Sequence, residues 1–171
     1  MASLIAPGET APDFSLPDLQ GITHSLRQYS GKIVLINFWS AECPWVERAD
    51  AALLPKYAAW MDRITWLSIA SNAHESRQEL EQTAKRRALP VVLLDPNQQA
   101  ADLYHVQITP HFFVVDEAGI LRYQGAFDDV TFRQRHPTRG FLIQAVEALL
   151  QGKLPDPAQT APYGCTIIRS G

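Results

Sequence analysis

Uninterrupted apolar runs alternate with amphipathic segments along most of the chain. Residues 32–39 (KIVLINFW) form one such run directly after Gly31, and residues 64–70 form another. Continuous apolar runs that are rich in β-branched residues predict strands buried on both faces. Shorter apolar stretches predict three more strands, the last two joined by a short turn as an antiparallel hairpin, at 91–94, 112–116 and 120–124.

Segments with apolar residues at helical spacing follow these strands. The longest, residues 45–62, places Val46, Ala49 and Leu53 on one face, which predicts an amphipathic helix. Residues 1–30 are rich in proline and glycine, so they are predicted to form an extended lead-in with at most short hairpin strands. The other helices are predicted at 76–88, 97–104 and 138–151.

This order of elements indicates an α/β fold with a mixed sheet. We expect residues 1–152 to form one domain, because a chain of 171 residues suits a single hydrophobic core. Residues 153–171 are proline-rich and show little periodicity. They are expected to form a C-terminal tail, which carries Cys165 and either wraps the domain or stays mobile.

The composition argues against several kinds of partner and site. A net charge of −3 argues against nucleic acid or an anionic membrane surface as a partner, and no apolar run is long enough to span a bilayer. Residues 1–9 lack the features of a secretory signal, so a cytoplasmic location is expected. The chain has two cysteines and five scattered histidines, a pattern in which no metal site is expected. In a reducing compartment the cysteines are two free thiols or form a transient, functional disulfide.

Cys43 is the first candidate for chemistry. It follows a predicted buried strand and precedes Pro44, a residue favoured at the first position of a helix. A cysteine at this point faces the free N–H groups and the positive end of the helix dipole, which stabilise its thiolate. The alternative is a buried structural cysteine, but the carboxyl end of a strand is where open α/β sheets bind ligands.

Several motifs support a more specific interpretation. The stretch from Gly8 to Trp45 contains APDFSLPD, a GK pair before the first long strand and FWSAECP, and the later segments ITPHFFVVD, GAFDDV and GCTIIR follow in order. Together they resemble the thioredoxin-fold redoxins of the alkyl hydroperoxide reductase/thiol-specific antioxidant superfamily, in particular a peroxiredoxin-like subgroup. The resemblance covers nearly the whole chain. It implies a thioredoxin-like fold, with a central mixed sheet flanked by helices, an N-terminal extension and a C-terminal tail.

The resemblance also implies a set of site residues. Cys43 is the expected redox nucleophile, Pro110 the expected cis-proline beside it, and Ser40 matches the serine or threonine three positions before the family's reactive cysteine. Cys165 is the possible resolving cysteine, since the chain after Gly152 could extend over roughly 40 Å to reach Cys43. The implied activity is thiol-dependent oxidoreduction without a cofactor, on a hydroperoxide or a disulfide, with a thioredoxin-like protein as the thiol reductant.

Three departures from the family pattern leave the activity open. Val46 stands where thioredoxin-like reductases have their second cysteine, and Ile36 stands where peroxiredoxins have a proline. The peroxidatic arginine is missing near Pro110, and Arg122 could replace it only if the fold brings it close. A thiol-dependent peroxidase with antioxidant activity, a thiol-disulfide reductase and a redoxin scaffold that binds a partner without turnover therefore all remain hypotheses.

Four residues are candidates for substrate binding. Trp45 and Pro44 begin the helix after the cysteine and could shape a groove for a peptide or thiol, although Trp45 could instead pack against the N-terminal segment. Thr109 and His111 flank Pro110. His111 could act as an acid or base near Cys43, but the preferred interpretation is a polar loop residue at the sheet edge.

Overall fold

The computed structural model describes residues 5–170 and gives a three-layer arrangement around one central sheet. Residues 1–4 of the predicted lead-in and residue 171 of the predicted tail lie outside the described part. The helices are α1 (Pro44–Trp60), α2 (Arg77–Arg86), α3 (Gln99–Leu103) and α4 (Phe141–Leu150). The strands are β1 (Ser15–Pro17), β2 (Thr23–Ser25), β3 (Ile33–Trp39), β4 (Ile64–Ala70), β5 (Val92–Leu94), β6 (Ile108–Thr109), β7 (His111–Val115), β8 (Leu121–Gly125) and β9 (Cys165–Thr166).

The central sheet has the strand order β5-β4-β3-β7-β8. Strands β3, β4 and β5 run parallel, whereas β7 and β8 are antiparallel to their neighbours, so the predicted mixed sheet is confirmed. Every residue of β3 is buried, because this strand lies at the middle of the sheet and both of its faces are covered. The carboxyl end of β3 leads directly into α1, and this junction carries Cys43.

The alternation of side chains along β3 divides the core into two faces. One face, with Ile36 and Phe38, packs against Tyr104, the lead-in and α3. The opposite face, with Ile33 and Leu35, packs against the apolar stripes of α1 and α4. Burial of these stripes is the main source of stability for both helices, since the hydrophobic effect contributes about 25 cal/mol per Å² of apolar surface removed from water.

Most predicted elements lie where the pattern placed them. The bounds of β4 agree with the prediction residue for residue, and β1 and β2 form the short hairpin of the lead-in. Helix α4, however, begins at Phe141 rather than at residue 138. The cause is Asp129, whose carboxylate accepts hydrogen bonds from the backbone N–H groups of Thr138 (2.9 Å) and Arg139 (3.2 Å) and holds them outside the helix.

The C-terminal tail wraps the domain across the ends of β6 and β8. Thr160 lies against Gly125, where an added Cβ would overlap the Thr160 backbone, so a larger residue at 125 would displace the tail. Farther along, β9 pairs antiparallel with β6, and Ile167 is buried in the core beside it. Of the two expectations for the tail, wrapping is the correct one in the described residues. Within the same part of the chain, no helix is both long and apolar enough to cross a membrane.

Candidate functional site

The two cysteines of the chain form a disulfide at the edge of the central sheet where the parallel strands β3, β4 and β5 end. Cys43 lies between β3 and α1, and Cys165 lies in the tail strand β9, with their Cα atoms 6.1 Å apart. The sequence left two free thiols and one bridge as alternatives, and the structure has the bridge. The bridge joins residues 122 positions apart in the chain, so it was the family resemblance, not the helix and strand pattern, that pointed to their contact.

The local sequence places Cys43 at the N-terminus of α1. Cys43 has an extended backbone as the N-cap residue, and Pro44 occupies the first helical turn. No side chain caps this turn in the part of the chain that the structure describes. The backbone N–H groups of Trp45 and Val46 are therefore free to stabilise a Cys43 thiolate once the disulfide is reduced.

The loop before β7 completes the site. The Thr109–Pro110 peptide bond is cis, so the cis-proline expected at Pro110 is confirmed. The carbonyl oxygen of Thr109 lies 3.5 Å from the Cys43 sulfur, and Thr109 is paired in register with Cys165. Gly164 packs so closely on this loop that an added Cβ would overlap the Thr109 carbonyl oxygen. A glycine beside Cys165 thus allows the tail to approach Cys43.

Trp45 and Pro44 lie at the rim of the site. Trp45 is half-buried and packs edge-on against Tyr163, with ring centroids 5.0 Å apart, so its packing partner is the tail rather than the N-terminal segment. Pro44 is exposed. Beside Trp45 an open groove is lined by Val130 and Phe132, and by Arg48, Thr131 and Arg135. Phe132 is the most exposed large apolar side chain among the described residues, at 75%.

His111 does not occupy the loop position that the sequence suggested. It is a buried residue of β7, so the interpretation as a polar loop residue is wrong. Its ring stacks on Phe113, and Nε2 lies 3.3 Å from the Gln124 side-chain oxygen. His111 shares a sheet face with Phe38, whereas Trp39, whose cluster includes Cys43, points the other way. Burial lowers the pKa of His111 to about 4, which leaves the ring neutral near pH 7.

Ser40 shapes the turn rather than contacting the sulfur. Its hydroxyl donates to the Glu75 carboxylate, which also accepts from the backbone N–H of Ala41 at 2.9 Å. Glu75 lies in the loop after β4 and is buried. Glu75 was not predicted from the sequence, although its place after a strand parallel to β3 put it at the same end of the sheet as Cys43. Its hydrogen bonds hold the turn that presents Cys43.

A buried ion pair between Asp50 and Arg87 stabilises the same turn. The Asp50 carboxylate accepts hydrogen bonds from Trp39 Nε1 at 2.7 Å and from Arg87 at 3.1 Å. Arg87 also donates to the carbonyl oxygen of Ala41 at 2.9 Å. Burial raises the pKa of Asp50 to about 6, and its hydrogen bonds to Trp39 and Arg87 oppose that shift. Asp50 lies in α1 and Arg87 directly after α2, 37 positions apart, so no sequence motif indicates the pair.

Glu42, next to Cys43, is turned towards His74. The His74 ring nitrogen lies 2.6 Å from the Glu42 carboxylate, and both side chains are exposed. The hydrogen bond to His74 lowers the pKa of Glu42, and the same contact raises the pKa of His74. With Glu75 these groups could hold a metal ion by their spacing, but Glu75 is already hydrogen-bonded to Ser40 and Ala41. The absence of a metal site stays a prediction.

Arg122 lies far from the disulfide. Its guanidinium pairs with Asp116 at 2.7 Å beside the β7–β8 turn, at the end of the hairpin opposite Pro110. The hypothesis that Arg122 replaces the missing peroxidatic arginine is therefore wrong. The five residues of β7 separate Pro110 from the turn beside Arg122, roughly 16 Å of extended chain, so the two cannot share a site.

A comparison with known families settles which superfamily the fold represents. Residues 7–124 match the AhpC/TSA family. The chain belongs to the AhpC/TSA family. The matched segment contains Cys43 and Pro110 but ends before the tail that carries Cys165. The family expected from the motifs is confirmed.

Curated relatives of this AhpC/TSA member are named for thiol chemistry. Thiol-disulfide oxidoreductase ResA from Geobacillus kaustophilus is 34% identical over 116 residues, which cover 67% of this chain and 66% of the relative. Thiol:disulfide interchange protein DsbE from Allochromatium vinosum is 30% identical over 151 residues, covering 85% of this chain and 77% of the relative. The chain thus spans about two thirds of the length of the ResA relatives.

Solved structures share the fold, and two of them cover at least 98% of the chain, including the tail. A hypothetical protein from Sinorhizobium meliloti 1021 superposes with a TM-score of 0.89 at 29% identity, covering 99% of this chain and 97% of the other. The thioredoxin domain of a thiol-disulfide oxidoreductase from Bacteroides vulgatus has a TM-score of 0.64 at 24% identity and covers 77% of this chain and 93% of that one. The thioredoxin-like fold is therefore confirmed.

The seating of the tail can be tested at Gly164. We expect Gly164→Ala to weaken the Cys43–Cys165 disulfide, because the new methyl group overlaps the Thr109 carbonyl oxygen and forces the tail backbone away. The equilibrium constant against a glutathione buffer should fall at least about tenfold, equivalent to 1.4 kcal/mol. Gly140→Ala is the control, since its methyl group meets nothing within 4 Å. Equal equilibrium constants for the two variants would contradict the packing described here.

His111 should make the stability of the oxidised protein depend on acidity. Between pH 7 and pH 4.5 the unfolded chain protonates His111 while the folded chain does not, because the folded pKa is about 4 and the ordinary value is 6.5. The unfolded state binds more protons, so acidification destabilises the fold by about 2 kcal/mol through this residue. The free energy of unfolding, measured with denaturant at pH 7 and pH 4.5, should fall further for the wild type than for His111→Phe. A difference between the two proteins that is the same at both pH values would contradict this prediction.

Acidification should stabilise the fold through Asp50, whereas it destabilises the fold through His111. Its folded pKa of about 6 lies above the ordinary 3.8, so the folded state holds a proton that the unfolded state has lost. Acidification from pH 7 to pH 4.5 should therefore stabilise the wild type relative to Asp50→Asn by about 2 kcal/mol. A pH-independent difference between these two proteins would mean that Asp50 is ionised throughout.

Proposed function

We propose that this protein is a thiol-disulfide oxidoreductase that works through Cys43 and Cys165. The observation that carries the proposal is the disulfide between the N-cap cysteine of α1 and the tail strand. It takes the place of the second cysteine that is missing at Val46, three residues after Cys43. The names of the ResA and DsbE relatives support an enzyme of this class.

The proposed reaction has two steps. The Cys43 thiolate attacks one sulfur of a substrate disulfide, which forms a mixed disulfide and releases the other substrate sulfur as a thiolate. The Cys165 thiolate then attacks the Cys43 sulfur, which releases the second substrate thiolate and forms the Cys43–Cys165 disulfide. Two electrons pass to the substrate, and a thioredoxin-like dithiol returns the protein to its reduced form. The helix N-terminus favours this chemistry because its N–H groups and dipole stabilise the Cys43 thiolate.

Other residues take supporting roles in this proposal. Pro110 and Thr109 form the loop beside the sulfur, and Ser40 holds the turn through Glu75. Trp45 and the exposed Pro44 form the rim that a substrate would meet first. His111 is not included among the substrate-binding residues, because its side chain lies on the opposite face of the sheet from α1.

The remaining hypotheses stay separate from this proposal. Peroxidase and antioxidant activity stay predictions, and the position of Arg122 removes one means of assisting them. A scaffold that binds without turnover requires an unreactive Cys43, whereas a helix N-terminus without a cap favours a reactive one. The cytoplasmic location also stays a prediction.

Variants of the two cysteines test the proposed function. Reduction of a mixed disulfide of glutathione with a peptide, coupled to thioredoxin and its reductase, should be catalysed by the wild type. Cys43→Ser should lower the rate at least about 100-fold, since the nucleophile is lost. Cys165→Ser should form the first mixed disulfide and stop there, with the substrate attached to Cys43.

Two outcomes would contradict the proposal. A Cys43→Ser variant as active as the wild type would exclude Cys43 as the nucleophile. A wild type that never exchanges with disulfides, while its unfolded chain does, would favour a binding role. Treatment of the reduced protein with one equivalent of hydrogen peroxide separates the peroxidase hypothesis, because only a peroxidase would form the disulfide within seconds.

A further inference from the structure

The loop between β8 and α4, residues 126–140, concentrates positive charge beside the disulfide. From residue 130 to residue 139 it contains three arginines and no acidic residue, although the whole chain has a net charge of −3. We call residues 126–140 the basic loop. The family match ends at residue 124, before this loop begins. The basic loop is therefore an addition of this chain to the part of the fold that the family defines.

The acidic residues at the start of the basic loop do not neutralise its arginines. Asp128 is buried and pairs with Arg48 of α1. Asp129 accepts hydrogen bonds from backbone N–H groups of its own loop. Arg133 and Arg135 are exposed, and neither takes part in an ion pair with a described residue. The loop thus presents two unpaired guanidinium groups to solvent.

Hydrogen bonds hold the basic loop against the tail, next to the two cysteines. The backbone N–H of Phe132 donates to the Tyr163 hydroxyl at 2.9 Å, and the Tyr163 ring packs on Trp45. Tyr163 and Trp45 each lie two positions from one of the cysteines. Within the loop, the N–H of Thr131 donates to the carbonyl oxygen of Gln134 at 2.9 Å. The surface beside the disulfide is therefore formed before any partner binds, which lowers the entropic cost of binding.

The groove between the basic loop and α1 combines apolar walls with one unpaired cation. Its volume of about 390 Å³ is in the range of pockets that hold ligands. Trp45, Val130 and Phe132 supply the apolar lining, and Phe132 is 75% exposed. Arg48 also lines the groove, but its charge is already paired, so Arg135 carries the free charge. An exposed apolar surface with a polar rim is typical of an interaction site.

We propose that this groove binds an extended, acidic peptide segment of a protein disulfide substrate; this inference rests on the proposed function. While the substrate cysteine reacts with Cys43, a neighbouring apolar side chain packs on Phe132, and an Asp or Glu side chain of the substrate pairs with Arg135. A guanidinium group matches a carboxylate in both charge and hydrogen-bonding geometry.

Charge also argues against a second copy of the chain as the occupant of the groove. A symmetric pair of chains would bring two basic loops together, and like charges at an interface repel each other. An acidic peptide meets no such repulsion. The basic loop therefore selects which disulfides are reduced, whereas the two cysteines supply the chemistry.

The test measures how fast the reduced protein attacks peptide disulfides that differ in one residue. Each peptide has one cysteine with a leucine beside it, and carries glutamate, glutamine or lysine at successive neighbouring positions. The cysteine is activated as a mixed disulfide with pyridine-2-thiol. The Cys43 thiolate attacks the peptide sulfur and expels pyridine-2-thiolate, whose absorbance gives the rate. Division by the rate with dithiothreitol removes differences in the intrinsic reactivity of the peptides.

At low ionic strength we expect the glutamate peptide to react about fivefold faster than the glutamine peptide at the best position, and the lysine peptide to be the slowest. Salt at about 0.5 M should remove most of this preference, because it screens exposed charges. Arg135→Gln should abolish the preference, and Arg135→Glu should invert it in favour of lysine. Phe132→Ala should remove the advantage of leucine over glycine beside the cysteine.

Arg27→Glu is the matched control for the charge change. Arg27 lies in the short 3-10 helix before β3, its side chain is 85% exposed, and it is near the β7–β8 turn at the other end of the sheet. This variant should keep the preference for glutamate. All variants should react with the glutamine peptide within about twofold of the wild type, which shows that the reactive site is intact.

Equal normalised rates for the three peptides would overturn the inference and leave the proposed function standing. A preference that survives Arg135→Gln, or that Arg27→Glu abolishes as well, would also overturn it. The same holds for a wild type that sediments as a dimer and becomes a monomer on Phe132→Ala, since a second copy would then occupy the groove. If the reduced protein attacks none of the peptides while dithiothreitol attacks all of them, the proposed function itself fails.

Discussion

The site depends on the pairing of the two-residue strand β9 with β6. Strand β9 pairs with β6 so that Cys165 lies opposite Thr109, and this register sets the Cα atoms of the two cysteines 6.1 Å apart. That separation lies within the range that a disulfide requires. Gly164 permits the approach, because any side chain there would strike the Thr109 carbonyl oxygen. The reactive pair is thus created by backbone pairing and by the absence of one side chain.

The disulfide and the tail contacts stabilise the same arrangement by different means. A bridge across 122 residues restricts the unfolded chain, by about 4–5 kcal/mol in the loop-entropy description. Noncovalent contacts, such as the burial of Ile167 and the edge-on packing of Tyr163 on Trp45, remain after reduction. They keep Cys165 near Cys43 and so raise its effective concentration for the resolving step. If the disulfide alone held the tail, Cys165 would move away from Cys43 whenever the disulfide is reduced, and its high effective concentration would be lost.

Sequence patterns over a few residues predicted the strands, the helices and the start of α1, because these depend on neighbouring residues. The apolar run of β3 and the cysteine before Pro44 placed Cys43 at a helix N-terminus, as the structure has it. Contacts between distant segments could not be predicted in this way. Glu75 and the Asp50–Arg87 pair reach the turn from separate elements. His111 was misassigned because a single polar residue in an apolar strand does not reveal that stacking on Phe113 and contact with Gln124 accommodate its ring.

Charge explains why water must reach the Cys43 sulfur during the reaction. The disulfide is neutral, so burial of Cys43 costs little while the bridge is intact. A buried thiolate costs several kcal/mol, whereas a helix N-terminus returns at most about 2 kcal/mol. Pairing of Glu42 with His74 limits the repulsion from the adjacent carboxylate but supplies no solvation. The remaining cost is relieved only when water reaches the sulfur, and the segment whose covalent attachment has just been cut is the tail. Reduction therefore creates the nucleophile and leaves only noncovalent contacts to hold the strand beside it.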